Sequence, residues 1–340
     1  TVNEQVINRA IHRWGVKDIE LHYDLDGKGF EFKAGHCWLP KEASRLIHNV
    51  NQAISSDGKN IKKPSKSELQ DRDWRSDPKD GLRPMEKIRK KWKKKKIVII
   101  IQARLNSKRL PNKVLKKINN ITVLEHIIYR LKKLNLPIIV ATTTNPKDKK
   151  IINLCKRKKI SFFSGDEKDV LKRFYNTAIK FKAQTIIRIT ADCPLIDYKI
   201  VKKLIKLYSK GNFDHVGVAT GAGVSKIRCN KYPDGLDAEC FSFSALDKAF
   251  HKAKLNFDRE HVTPFLWKNK KKFNIGTLVS KKDYSHLRIT LDNLDDLKLI
   301  RTIYRKIGKK NFYLKDINRF FKSNPNLLNL NKKYIGKEKY

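Results

Sequence analysis

The apolar residues of the second part of the chain follow two alternating patterns. Short, continuous apolar runs predict buried strands, and longer stretches with helical spacing lie between them. The predicted strands are IVIIIQ (97–102), PIIVATT (137–143), ISFFS (160–164) and TIIRIT (185–190). The predicted helices are VLEHIIYRLKKL (123–134), PKDKKIINLCKRK (146–158) and EKDVLKRFYNTAIKF (167–181). This alternation indicates an α/β fold with a doubly wound, mostly parallel sheet.

The first part of the chain has a different pattern. A helix over 2–14 that stops at Gly15, a strand VKDIELHYDL (16–25) and a helix that opens at Pro40 are predicted there. The four predicted segments of the whole chain are an N-terminal piece (1–54), a polar basic linker (55–96), the alternating domain (97–305) and a helical and polar tail (306–340).

Composition narrows the class of protein. The formal net charge is +43, but the lysines are spread along all 340 residues and form no basic motif interleaved with aromatic residues. We therefore expect non-specific polyanion binding in vitro and no specific nucleic-acid partner. The five cysteines are scattered without metal-binding spacing, as is typical of reduced thiols in a cytoplasmic protein. No apolar run is long enough to predict a membrane span.

A cationic loop, QARLNSKRLPNKVL, follows the first predicted strand. It contains Arg104, Lys108, Arg109 and Lys113. Guanidinium and ammonium groups match phosphate oxygens in charge and geometry, and ligands of such sheets bind outside the carboxyl ends of the strands. The loop therefore predicts a phosphate site, although a solvated basic loop would look the same in a chain this rich in lysine.

Two aspartates come at the ends of predicted strands. Asp192 follows TIIRIT, and Asp292 follows a predicted strand over 286–291. Such carboxylates can hold Mg²⁺ while the metal bridges substrate phosphates. Each could instead cap a helix. Their occurrence beside a cationic loop makes a triphosphate–metal site the stronger interpretation.

A further pair of carboxylates lies in YPDGLDAECFS. Asp237 and Glu239 are predicted to alternate on one face of a strand after a Pro-Asp-Gly turn. They could accept hydrogen bonds from sugar hydroxyls or support the metal. An exposed strand face behind a turn is an equally good interpretation.

These segments together resemble the cytidylyltransferases that activate sugar acids. The closest similarity is to the spore coat polysaccharide biosynthesis protein F branch, which is related to the acylneuraminate and 3-deoxy-manno-octulosonate enzymes. The matching words are QARLNSKRLPNKVL, VATTTNPKD, GDEKDVLKRFY, RITADCPLID, YPDGLDAECFS, DREHVTPF and HLRITLDNLDDL. The sequence departs mildly from the family pattern, with Asn112 in place of Gly and Ala191 in place of Gly or Gln.

The resemblance implies a fold of the nucleotide-diphospho-sugar transferase type and a reaction of CTP with a sugar acid that gives a CMP-sugar and pyrophosphate for surface polysaccharide. It implies Mg²⁺ as the cofactor, bound by Asp192 and Asp292. It assigns catalysis to Arg104, Lys113 and Asp192, and sugar binding to Asp237 and Glu239. The nucleotide-binding set that it implies is Arg104, Ser107, Arg109, Lys113, Thr142 and Thr143.

The N-terminal piece has its own resemblance, to the last strand and helix of the N-acetylneuraminate synthase barrel. In that family two histidines bind a divalent metal, and the matching positions here are His22 and His36. A barrel cannot close on one strand. The resemblance therefore implies a truncated barrel remnant whose metal site is a relic or is incomplete.

Three alternatives stay open at this point. The chain could be another nucleotide–sugar enzyme on the same fold, such as a glycosyltransferase or an enzyme that uses a different nucleotide. It could also be a non-catalytic fragment that binds polyanions. The assembly is equally open, and a homodimer is one expectation.

Overall fold

The computed structural model describes residues 2–57, 68–69, 74–86, 88–89, 96–220, 229–308 and 311–336. It divides into two compact units, 1–92 and 93–340. Much of the predicted linker, 55–96, lies outside the described residues, so its limits stay a prediction.

Among the described residues of the first unit are the helices α1 (Glu4–Trp14), α2 (Phe30–Lys33) and α3 (Pro40–Asp57). The Asn3 side chain caps α1, and Gly15 ends that helix in the left-handed conformation, as predicted. A small core holds Ile7, Trp38, Ala43 and Leu46.

The prediction of a strand over 16–25 is wrong. That segment forms only one bridge, between Tyr23 and Trp38. A strand needs a neighbour that continues its hydrogen-bond ladder, and the described part of this unit offers only that single point of pairing. A barrel remnant is therefore not shown.

The second unit contains a seven-stranded sheet in its described residues. Its strands are β1 (Ile97–Gln102), β2 (Ile138–Thr143), β3 (Ser161–Gly165), β4 (Thr185–Thr190), β5 (His215–Val218), β6 (Glu239–Ser242) and β7 (Ile275–Leu278). They lie in the order β3-β2-β1-β4-β6-β5-β7. Only β6 among them runs antiparallel to its neighbours, β4 and β5. The predicted α/β fold with a mostly parallel sheet is confirmed.

Helices cover both faces of this sheet. They are α4 (Val123–Leu131), α5 (Lys149–Arg157), α6 (Val170–Lys180), α7 (Tyr198–Lys210), α8 (Phe243–Lys252), α9 (Asn256–His261), α10 (Pro264–Lys268), α11 (Leu294–Ile307) and α12 (Leu314–Ser323). In β1, Ile99 and Ile101 join one core cluster, whereas Val98 and Ile100 join the other. This two-sided burial explains why the strands are continuous apolar runs.

The strand predicted over 286–291 is an extended segment outside the sheet. Only Arg288 makes a bridge, to Asp234. The Ile289 N–H donates to the Asp234 carbonyl at 2.7 Å, and the Leu291 N–H donates to the Asp192 carbonyl at 2.8 Å. The alternating apolar residues are buried as expected, but their backbone pairs with two loops instead of a strand. This pairing brings Asp292 beside the loop that carries Asp192.

Candidate active site

The cationic loop, residues 103–113, follows the carboxyl end of β1. A buried carboxylate, that of Asp148, binds the backbone near its start. Asp148 accepts a hydrogen bond from the Leu105 N–H at 2.8 Å. It also accepts one from the Thr143 hydroxyl. Since Asp148 is 2 % exposed, it fixes the start of the loop. Sequence reasoning missed this residue because Asp148 looks like an ordinary helix-start aspartate.

The end of the loop depends on an unusual backbone conformation. Asn112 has φ 57° and ψ 24°, in the left-handed region. Asparagine tolerates this region better than most residues, and glycine tolerates it best. The replacement of the usual glycine at this position therefore preserves the turn that delivers Lys113.

Three side chains, here called the Lys113 cluster, meet at the floor of the site: Lys113, Asp192 and Asp292. The Lys113 ammonium donates to Asp192 Oδ2 and to Asp292 Oδ1, both at 2.9 Å. Arg109, from the same loop, reaches Asp292 Oδ1 at 3.0 Å. The loop and the two acidic segments therefore converge as the sequence predicted.

The charges of this cluster stabilise one another. Burial raises the pKa of Asp192, but the Lys113 charge and the Thr190 hydroxyl outweigh it and lower that pKa to about 2. Burial works against the charged form of Lys113, yet the two carboxylates hold its pKa above the ordinary value. Both groups are therefore ionised at neutral pH.

Arg288 supports Asp292 from behind. Its guanidinium donates to Asp292 Oδ2 at 2.9 Å and also contacts Asp234 and Asp296. It is 2 % exposed, so it acts as a fixed positive group inside the protein. Sequence reasoning missed Arg288. Its position between the buried residues Leu287 and Ile289 was the signal that could have revealed a buried charged partner.

The turn at Gly235 packs directly against this segment. Gly235 has φ +102°, and a Cβ atom there would collide with the backbone of Ile289 and Thr290. Glycine is required on both counts. This close approach sets the turn beside the extended segment that carries Asp292.

A second group, here called the Glu239 cluster, lies on another wall of the site. Glu239 accepts hydrogen bonds from His215 Nε2 at 3.0 Å and from the Thr263 hydroxyl at 2.7 Å, and it pairs with Arg188. Burial raises the pKa of Glu239, but the Arg188 charge and these hydrogen bonds lower it to about 2. Protein groups therefore already engage this carboxylate.

Asp237 lies just before β6, so the prediction that it alternates with Glu239 on one strand is wrong. Asp237 accepts hydrogen bonds from the Thr220 hydroxyl and from the Gly235 N–H. After the Pro-Asp-Gly turn, the strand β6 begins only at Glu239. Both carboxylates nevertheless line the same cavity.

That cavity, of about 1130 Å³, lies at the carboxyl ends of β1 and β4. Arg104, Ser107, Arg109, Lys113, Asp192, Asp237, Glu239 and Asp292 are the predicted site residues in its wall. Arg104 lies 3.7 Å from Glu260. Phe257, His261 and Trp267 add an aromatic side to the cavity. The volume suits a nucleotide together with a second substrate.

Thr142 and Thr143, predicted to hold the nucleoside, are not part of this cavity wall. They are 0 % and 1 % exposed, because β2 is covered on both faces. The Thr143 hydroxyl is used by Asp148, and the Thr142 hydroxyl has no partner among the described residues. Their side chains therefore support the sheet and the loop beneath the cavity.

The two histidines predicted as metal ligands lie in the first unit. His22 Nδ1 lies 3.3 Å from Glu31 Oε2, and Cys37 lies beside the same carboxylate. His36 is absent from the group of ligand atoms that the described residues bring together there. The structure thus does not support His22 and His36 as a pair.

A mostly parallel sheet with a cationic loop and two neighbouring carboxylates at its carboxyl edge, around a cavity of nucleotide size, is the arrangement expected of a nucleotidyltransferase. The family model described as Cytidylyltransferase matches residues 98–326. The chain therefore belongs to the cytidylyltransferase family, and it is a nucleotidyltransferase that uses CTP.

Two sequence relatives and one solved structure are similar to this chain, and the solved structure is named as a cytidylyltransferase. An uncharacterized protein of Methanocaldococcus jannaschii is 37% identical over 240 residues, which cover 69% of this chain and 94% of the relative. Spore coat polysaccharide biosynthesis protein SpsF of Bacillus subtilis is 25% identical over 223 residues, or 63% of this chain and 88% of the relative. A cytidylyltransferase structure from Leptospira borgpetersenii has 28% identity and a TM-score of 0.64, covering 72% of this chain and 99% of that one.

The helices of the described residues were compared with the requirements for a membrane-spanning helix. None of them combines the length and the apolar character that crossing a bilayer requires.

Proposed function

We propose that this chain transfers CMP from CTP to a hydroxyl of a sugar acid and releases pyrophosphate. The convergence of Asp192 and Asp292 on the Lys113 ammonium, beside Arg109, carries this proposal. It gives one small region both the negative charge that a cation needs and the positive charge that a triphosphate needs.

In the proposed reaction the sugar hydroxyl attacks the α-phosphorus of CTP. A new P–O bond forms, the bond to the β-phosphate oxygen breaks, and the hydroxyl proton is released to solvent. Arg104, Arg109 and Lys113 stabilise the negative charge of the departing pyrophosphate. Catalysis then comes chiefly from positioning and electrostatic stabilisation.

The donor set fits Mg²⁺. Two carboxylates already share one cation, and oxygen ligands from one or two carboxylates plus phosphates are what Mg²⁺ prefers. Asp192 and Asp292 would hold the ion, and Lys113 would give up its place between them. When bound, the metal would neutralise charge on the phosphate oxygens.

Asp192 is a poor candidate for the general base. A base works best when its pKa is near the working pH, and Lys113 holds the pKa of Asp192 at about 2. Its proposed role is to bind a cation, whether that cation is the lysine ammonium or the metal.

A sugar acid as acceptor fits the surplus of cations on the loop. Once Arg104, Arg109 and Lys113 bind phosphates, Lys108 remains in the cavity wall to attract a carboxylate. We further propose a role in surface polysaccharide synthesis, supported by the name of the Bacillus subtilis relative.

The test is pyrophosphate release by the full chain from CTP, UTP, ATP and GTP, each with sugar acids and with the matching neutral sugars. We expect release with CTP and a sugar acid only. Turnover with UTP and a neutral sugar would overturn the proposal. Failure of every acceptor that bears a carboxylate to support turnover would overturn it as well. Asp247→Asn, on the outer helix α8, serves as the matched control for substitutions of the site aspartates.

A further inference from the structure

The first unit brings three different metal-ligating side chains together: His22, Glu31 and Cys37. Their ligand atoms all lie within 4.8 Å of one another. His22 Nδ1 is 3.3 Å from Glu31 Oε2, and the Cys37 thiol is 3.5 Å from the same oxygen.

Local backbone hydrogen bonds hold these side chains in place. The Trp38 N–H donates to the His22 carbonyl at 2.9 Å, which sets the His22 segment alongside the Cys37 segment. Glu31 comes from the short helix α2, and its carbonyl accepts from the His36 N–H at 2.9 Å. The three ligands therefore come from three segments that the fold brings to one point.

The spacing of the ligand atoms matches a tetrahedral zinc ion. Zinc lies about 2.0–2.1 Å from nitrogen and oxygen ligands and about 2.3 Å from sulfur, so the edges of its tetrahedron are roughly 3.3–3.6 Å. The two measured separations, 3.3 and 3.5 Å, are edges of this size. The third separation, between the His22 nitrogen and the Cys37 sulfur, is at most 4.8 Å, so closing it to about 3.6 Å would complete one face of the tetrahedron.

We propose that His22, Glu31 and Cys37 form a Zn²⁺ site with three protein ligands and a fourth position open to solvent. Imidazole, thiolate and carboxylate are the ligands that zinc takes in proteins. The side chains of His22 and Glu31 are 61% and 64% exposed, so an ion can enter and a water molecule can complete its coordination. The buried Cys37 supplies the soft ligand at the inner side.

This ligand set differs from the histidine pair that the barrel resemblance implies, because Glu31 and Cys37 take the place of His36. All three ligands belong to the first unit, whereas the residues of the proposed reaction belong to the second. Failure of the zinc proposal would leave the proposed function untouched.

The test uses the full chain after chelator treatment. Zn²⁺ affinity is measured by competition with a chromophoric chelator, and Co²⁺ is added separately as a spectroscopic probe. We expect roughly one tight equivalent of Zn²⁺ per chain and a thiolate-to-cobalt charge-transfer band. Cys37→Ser should abolish the band, and His22→Ala and Glu31→Gln should each weaken Zn²⁺ binding by more than about tenfold.

Two controls make the result specific. Both His36→Ala and Cys229→Ser should leave the band and the affinity unchanged. A chain without the charge-transfer band would show that the three groups form only a hydrogen-bonded cluster, and loss of binding in His36→Ala would assign the site to the histidine pair; either result overturns the proposal. His22 and Glu31 are exposed, so their variants test the site even if Cys37→Ser does not fold.

Discussion

The Lys113 cluster and the Glu239 cluster place carboxylates in the same cavity under different constraints. Lys113 is the ion-pair partner of Asp192, and it shares Asp292 with Arg109 and Arg288, whereas Glu239 is engaged by His215, Thr263 and Arg188 at once. The flexible lysine can withdraw and leave Asp192 and one oxygen of Asp292 for a metal. Glu239, bound by three groups of the scaffold, cannot be released at as low a free-energy cost. The comparison therefore separates carboxylates that can exchange a lysine for a metal ion from a carboxylate whose partners belong to the folded scaffold.

The largest expected effect is the loss of catalysis in Asp192→Asn. The amide keeps the size of the side chain but removes the charge that would hold Mg²⁺, so pyrophosphate release should fall by about 10³-fold or more. The measurement is kcat with CTP and the accepted sugar acid, with Asp247→Asn as control. A variant that retains more than a tenth of the activity would remove Asp192 from the metal site.

Lys113→Met tests whether the ammonium holds the place of the metal. Pyrophosphate release should fall by about 10²-fold, because a cation for the phosphates is lost. Mn²⁺ binding without nucleotide should nevertheless become tighter, because Asp192 loses its ammonium partner and Asp292 loses one of its three cationic contacts. Titration followed by electron paramagnetic resonance measures this, with the exposed Lys298→Met on α11 as control. Weaker Mn²⁺ binding in Lys113→Met would contradict the exchange.

Glu239→Gln should act on stability more than on chemistry. The substitution leaves Arg188 without its charge partner at a largely buried position, which should cost about 2–4 kcal/mol of unfolding free energy. Urea denaturation measures the loss, and KM for CTP should change by no more than about twofold. A stable variant with a large rise in KM for the acceptor would instead support the predicted sugar-binding role.

The pH dependence of stability follows from the same carboxylates. The pKa of Glu239 is lowered from 4.5 to about 2 in the folded chain, so its contribution is complete above the unfolded value and is lost as the pH falls towards 2. That contribution is about 3 kcal/mol. Denaturation at pH 6 and pH 3 should show the loss of about 2 kcal/mol of this contribution in the parent and a flatter dependence in Glu239→Gln. Parallel slopes would show that another group dominates.

The smallest effect is expected for Thr142→Val. The Thr142 hydroxyl is buried and lies outside the cavity, so KM for CTP should stay within about twofold of the parent value. Stability should be unchanged or slightly higher, because an unpaired buried hydroxyl is removed. A marked rise in KM for CTP alone would restore the nucleoside-binding role that the resemblance implied.

The sequence predicted the four strands β1 to β4, but it did not predict β5 and β7, and the tertiary contacts decided the extended segments. The apolar runs of β1 and β4 were placed at their observed limits, because continuous burial on both faces leaves a clear pattern. The segments 16–25 and 286–291 instead alternate apolar and polar residues, and neither has a partner strand. Alternation alone does not show where the backbone hydrogen bonds go.

For the site, the sequence by itself determined which charges are available and after which apolar runs they come. It predicted the cationic loop, Asp192 and Asp292 as site candidates because charge after a buried apolar run is a local signal. Only the tertiary structure decided which charges are shared and which are satisfied. Arg288 and Asp148 support the floor from distant positions, and the grouping of His22, Glu31 and Cys37 depends on backbone pairing that no local pattern records.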